Sequence, residues 1–111
     1  MEVLKVSTKS SPNAVAGALA GILRGGDRAE LCVVGAGALN QAIKAVAIAR
    51  TFVLDDGIDI VCVPTFGEVT IAGETRTALR VLVEDRRTAP LLVDETLDLT
   101  DAGTARETLE A

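Results

Sequence analysis

The chain has no histidine, tryptophan or tyrosine, and only two phenylalanines in 111 residues. Without histidine it lacks the commonest general base and the commonest zinc ligand. Without Trp and Tyr, stacking on bases is a poor candidate for the main grip on single-stranded nucleic acid. Its core must instead be built from Val, Ile, Leu and Ala, and hydrophobic residues at 49% suffice for one. Cys32 and Cys62 form no CxxC pair and fall inside predicted buried strands, so reduced core thiols are expected. No apolar run reaches membrane-spanning length, and Met1-Glu2-Val3-Leu4-Lys5 does not resemble a signal peptide. A cytoplasmic protein is the expectation.

Catalytic and cofactor signatures are also missing. Gly35-Ala36-Gly37 is followed by Asn40, without the third glycine of the dinucleotide fingerprint, and no GK[ST] marks a P-loop. Asp55, Asp56 and Asp59 sit at a turn without EF-hand spacing. No enzyme activity, cofactor or metal is expected.

Charge is unevenly placed. From Met1 to Arg87 there are 10 basic and 10 acidic residues. From Thr88 onward Arg106 stands alone against Asp94, Glu95, Asp98, Asp101, Glu107 and Glu110, so the whole net charge of −5 lies there. This asymmetry divides the chain into a neutral domain, 1–87, and an acidic C-terminal tail, 88–111.

The most informative stretch runs from Gly35 to Arg50. Leu31-Cys32-Val33-Val34 leads into it as a short buried strand, and Gly-Ala-Gly allows a tight turn. A helix follows with little bulk on it. Leu39, Ala42, Ile43, Val46, Ala49 and Val53 share one face at helical spacing, while Asn40, Gln41, Lys44 and Thr51 form a narrow polar strip. So much apolar surface needs cover on more than one side, from a sheet and from a neighbouring helix or second subunit.

Before it, Glu2 to Ser7 alternates as a half-buried strand, with Val3, Lys5 and Ser7 on one side and Leu4 and Val6 on the other. Ser11 is a good N-cap and Pro12 suits the first position of a helix reaching Leu23 or Arg24, closed by Gly25-Gly26. Ala14, Gly17, Ala18 and Gly21 make a flat stripe on it. Because glycine costs about 1 kcal/mol in a helix, this stripe predicts close approach of another backbone, the Ala-rich second helix.

Beyond the second helix, Asp55-Asp56-Gly57 reads as a turn and Ile58 to Val63 as a strand, with Pro64 marking an edge or bulge. Glu68 to Ile71, the tip Ala72-Gly73-Glu74 and Arg76 to Glu84 form a hairpin. After Arg87 the pattern weakens. Ala89 to Val93 suggests a short added strand; Asp94 to Ala111 has no clear stripe and at most one weak helix near Thr104 to Leu109, which suggests a loose tail. The order β-α-β-α-β-β predicts a two-layer α/β (α+β) fold, a four-stranded mixed sheet with two helices on one face.

Several long strings in this sequence are distinctive. Lys5-Val6-Ser7, Lys9-Ser10-Ser11-Pro12-Asn13, Val15 to Gly21 and Gly35 to Arg50 closely resemble the stage V sporulation protein S family, and the resemblance spans roughly Met1 to Arg86. That family is similar in fold to the Alba group of chromatin and RNA-binding proteins. The resemblance implies a small cytoplasmic homodimer that binds DNA or RNA and regulates sporulation or a related developmental programme. Where Alba proteins carry lysines before the proline, this chain has Ser10 and Ser11, with Lys9 one step earlier.

The candidate binding residues follow from the two helix entries, which this topology places at one end of the sheet. Lys9, Ser10, Ser11 and Asn13 enter the first helix; Gly35, Gly37, Asn40 and Gln41 enter the second, with Lys44 one turn on. Free N–H groups and the helix dipole favour anions there. The alternative role for these residues is capping and turning. Arg76 and Arg80 lie on the hairpin arm, which in Alba proteins reaches along the nucleic acid. Arg50 falls close to the apolar face and suits a salt bridge or a dimer contact. A neutral body predicts few phosphate contacts and weak binding. A protein-interaction module that regulates a partner without nucleic acid remains open.

Overall fold

A computed structural model describes residues 1–88. The strand expected at Ala89 to Val93 and the helix near Thr104 to Leu109 lie outside the described residues. Four strands and two helices follow in the expected order: β1 (Glu2–Val6), α1 (Pro12–Arg24), β2 (Ala29–Val33), α2 (Ala36–Val53), a 3-10 turn (Leu54–Asp56), β3 (Ile60–Ile71) and β4 (Glu74–Asp85). The sheet order is β1-β2-β4-β3, with β1 and β2 parallel and the other neighbours antiparallel. Pro64 therefore sits on an edge strand, where its missing N–H breaks no ladder bond between two neighbours. The strand runs straight through it to Ile71 and starts at Ile60, two residues later than the apolar pattern suggests.

Register divides the sheet into two faces. Leu4, Leu31 and Val81 line up across the helix-covered face, as do Val6, Val33 and Leu79. The opposite face carries the rows Val3–Glu30–Leu82–Val63 and Lys5–Cys32–Arg80–Thr65. Val6, Leu31, Val33, Val81 and Val83 are buried under the helices with Ala16, Leu19, Ala20 and Leu23 of α1.

The helix pair differs from the sequence expectation in two ways. The buried line of α2 is Ala38, Ala42, Ala45, Ala49 and Val53, rotated from the predicted face, and Ile43 is left 48% exposed. Alanines at every third or fourth residue along that line bring the two helix axes close, and bulk is displaced to the flanks. Ala14, Gly17, Ala18 and Gly21 all face solvent, and a Cβ added at Gly17 or Gly21 would meet nothing within 4 Å. The close approach is thus made by alanines on α2 against Ala16 and Ala20, not by the glycine stripe. Arg24 fastens the other end of the pair: its guanidinium donates to the Phe52 carbonyl at 2.7 Å and to Asp56 at 2.8 Å.

Ala72 and Gly73 turn the β3–β4 hairpin with φ of 52° and 80°. Positive φ at both central residues is the pattern of a primed two-residue turn, matched to strand twist.

Candidate nucleic-acid interface

Residues 7–11 form a tight loop that bonds to itself. The Ser10 N–H donates to the Ser7 carbonyl at 3.1 Å, the Ser7 N–H to Ser10 Oγ at 2.9 Å, and the Lys9 N–H to Ser7 Oγ at 3.2 Å. Lys9 is left exposed at the apex. Ser11 caps α1 as its position suggests, accepting the Ala14 N–H at 3.3 Å, and Pro12 occupies the first turn.

The loop is locked onto the start of α2. Gln41 Nε2 donates to the Ser10 carbonyl at 3.1 Å. Gly37 is needed for this approach: a Cβ there would lie 2.7 Å from Thr8 Cγ2. Both helix entries therefore meet at one end of the sheet. They are not equivalent. The first turn of α1 already receives Ser11, whereas Gly35 caps α2 with φ of 88° and offers no side chain. The N-terminal end of α2 carries about half a positive charge with no side-chain cap against it. Asn40 and Lys44 are exposed on this helix, Asn13 is exposed on α1, and Lys9 stands on the adjoining loop. Lys9, Lys44 and the uncapped start of α2 are open to solvent, while Ser10, Ser11 and Gln41 are hydrogen-bonded within the protein.

Arg76 and Arg80 are placed apart from this surface, on the open sheet face. Arg80 folds across Gly67, whose added Cβ would sit 2.7 Å from Arg80 Nε. Arg76 lies 3.8 Å from Glu74. Beyond them, Val69 and Ile71 of the arm share a cavity of about 350 Å³ with Lys5 and Cys32 of the sheet and with Thr8 and Ala38 of the two helix entries. Arg50 pairs with Asp59 at 3.6 Å, as its place beside the apolar face suggests.

Phe66 escaped the sequence reading. It alternates with Cys62 and Pro64 on the helix side of β3, a pattern that reads as core, yet it is 83% exposed. It shares a row with the buried Val6 and Val33, but β3 is the edge strand and ends that row. Thr8, the residue in contact with Gly37, was likewise invisible without coordinates.

No group of acidic or cysteine side chains suited to a metal ion occurs among the described residues, and no described helix is long and apolar enough to cross a membrane.

Topology and helix placement define an Alba-like protein, two helices packed on one face of a mixed four-stranded sheet. Within that class, the family model for stage V sporulation protein S matches residues 2–86. The chain belongs to that family and is a sporulation-related protein.

Proposed function

We propose that the chain is a small, non-enzymatic, homodimeric regulator that binds DNA or RNA weakly through the joined helix entries. The observation that carries this reading is the uncapped N-terminus of α2 held beside Lys9 by the Gln41–Ser10 bond, with Lys44 about two turns along the helix. A neutral body from Met1 to Arg87 supports few phosphate contacts, and so a shallow salt dependence. The regulated process is sporulation or a related developmental programme, in the cytoplasm. The domain is 1–87, with 88–111 as an acidic appendage.

Dimerisation is supported by a second surface. The Arg50–Asp59 pair turns one flank of α2 towards β3, and on that side Ile43 and Phe66 are exposed. Such apolar side chains on one side of a small domain suit a two-fold contact. Sedimentation at micromolar concentration should give twice the chain mass; the mass of one chain contradicts the dimer.

The binding test is an electrophoretic shift with short single-stranded RNA and duplex DNA at low salt. Lys9→Ala and Lys44→Ala should each weaken binding for every sequence, by a uniform factor. If both variants bind like the parent, the interface lies elsewhere. If the parent binds neither nucleic acid, the alternative stands: a protein-interaction module acting on a regulatory partner, a reading favoured by the absence of Trp and Tyr.

A further inference from the structure

Past the last register pair between β2 and β4, Val33 with Leu79, the hairpin loses its neighbour on that side. From Gly67–Ala78 to Ile71–Glu74 its two strands pair only with each other. A segment held mainly by its own ladder opens at low cost. Val69 and Ile71 of this arm form one wall of the cavity of about 350 Å³. The other walls come from the place where β1 and β2 end. Lys5 and Cys32 lie on those strands, Thr8 on the loop after β1, Val34 just past β2 and Ala38 in the first turn of α2.

The location suits a ligand. β1 and β2 are parallel, so the cavity lies outside the carboxyl ends of two parallel strands, where open α/β sheets form their binding crevices. Its volume falls within the range of small-molecule sites, which begins near about 300 Å³. At about 30 Å³ per water it has room for roughly twelve waters, and so for an organic molecule of about ten non-hydrogen atoms.

The lining narrows the chemistry. Val34, Ala38, Val69 and Ile71 are aliphatic, and Ile71 is still 46% exposed, so an apolar guest would bury surface that the protein leaves open. Among the described residues of the lining Lys5 alone is charged, and it forms no ion pair with any described residue. One cation matches one negative charge. A dianion such as a phosphate monoester would leave a charge uncompensated against aliphatic walls, which is costly. A carboxylate carries a single charge and can also accept a hydrogen bond from the Thr8 hydroxyl. The dipole of α2, whose first turn includes Ala38, acts in the same sense.

We propose that this cavity binds a small monocarboxylic acid with an apolar body, its carboxylate on Lys5 and its hydrocarbon between Val34 and Ile71, and that the bound acid clamps the hairpin arm to the ends of β1 and β2. The site includes neither Lys9 nor Lys44 and does not rest on nucleic-acid binding.

Octanoate is the probe, and octanamide, of the same size without the charge, is its control. In the full chain near neutral pH, titration with octanoate should move the amide NMR signals of Lys5, Thr8, Ala38 and Val69 to Ile71 together. Octanoate should bind roughly tenfold more tightly than octanamide, the margin of one hydrogen bond to a charged group. Lys5→Met removes the charge from an exposed position and should erase that preference, leaving the weaker binding common to both probes. Ile71→Asn, on the exposed arm, should weaken both probes alike. Dispersed spectra of the unliganded variants check that each stays folded. With octanoate at about ten times its Kd, hydrogen exchange of the arm amides from Gly67 to Ala78 should slow roughly tenfold. Signal changes confined to other residues, or equal affinities of the parent for the two probes, overturn the carboxylate site. A preference that survives Lys5→Met overturns the placement of the carboxylate, and unchanged exchange in the arm overturns the clamp.

Discussion

Replacing Gly17 and Gly21 with alanine tests the helix-pair geometry directly. Both glycines lie inside α1, both face solvent, and neither has an atom within 4 Å of an added Cβ. Alanine there meets no steric cost, while helix propensity favours it by about 1 kcal/mol per site. Much of that gain arises in the unfolded chain, which loses glycine's extra freedom. The double variant should gain about 2 kcal/mol, and at roughly 4–8 °C per kcal/mol for a domain of this size, Tm should rise by about 8–16 °C. Thermal unfolding followed by far-ultraviolet circular dichroism at two protein concentrations reads this out. A fall in Tm for either single variant refutes the reasoning, because it means that something packs against the stripe. A fall that shrinks on dilution would identify that something as a second copy of the chain.

Gly37→Ala should behave in the opposite sense: overpacking against Thr8 Cγ2 costs about 1–3 kcal/mol against the same propensity gain, and Thr8→Ser, which deletes that methyl, should restore the urea midpoint. Ala72 holds a φ of 52°, so Ala72→Asn or Ala72→Gly should raise stability by up to about 1 kcal/mol, read as a higher denaturation midpoint. Burial alone would raise the Asp85 carboxyl, but hydrogen bonds from the backbone N–H groups of Arg87 and Asp59, and the Arg87 guanidinium, outweigh it and hold the group below its ordinary 3.8. The folded state then binds that proton more weakly than the unfolded one. Asp85 thus contributes stability above about pH 4 that disappears as pH falls through its lowered value, and Asp85→Asn should flatten denaturation midpoints across that acid range. Replacing the tail acids from Asp94 to Glu110 with their amides should tighten nucleic-acid binding at low salt, with the difference closing as salt rises; equal affinities remove any role for the tail charge.

Local chemistry was legible in the sequence wherever one residue decided the outcome. Ser11 and Pro12 start α1, the alternation of Glu2 to Val6 gives the right inward set, and Pro64 marks an edge. The order of elements followed from these and from helical spacing. What misled was apolarity treated as one quantity. On α2, the larger residues Leu39, Ile43 and Val46 dominate any hydrophobic count, but the partner helix selects the side with the least bulk, so the alanines went inward. On α1, glycines suggested a contact that Ala16 and Ala20 make instead. In the binding surface, the joining of the two helix entries was foreseeable from topology. That α1 is capped and α2 is not depends on one hydroxyl and one missing side chain, and follows from Ser11 and Gly35. The distance between Thr8 and Gly37, and the edge position that bares Phe66, are three-dimensional facts with no trace in spacing.

The position of β4 has a consequence for how the chain reaches its native state. The last described strand to be synthesised lies between β2 and β3, and its five register pairs with β2 provide the sheet's link between the N-terminal β-α-β half and the C-terminal hairpin. A nascent chain can pair β1 with β2 early, yet the inner edge of β2 stays open until Val81 and Val83 emerge. Closure is therefore a late, long-range event, and it should limit the folding rate more than either helix does. Until then β2 keeps one edge unpaired along Leu31, Cys32 and Val33, the segment where association between incomplete chains would begin.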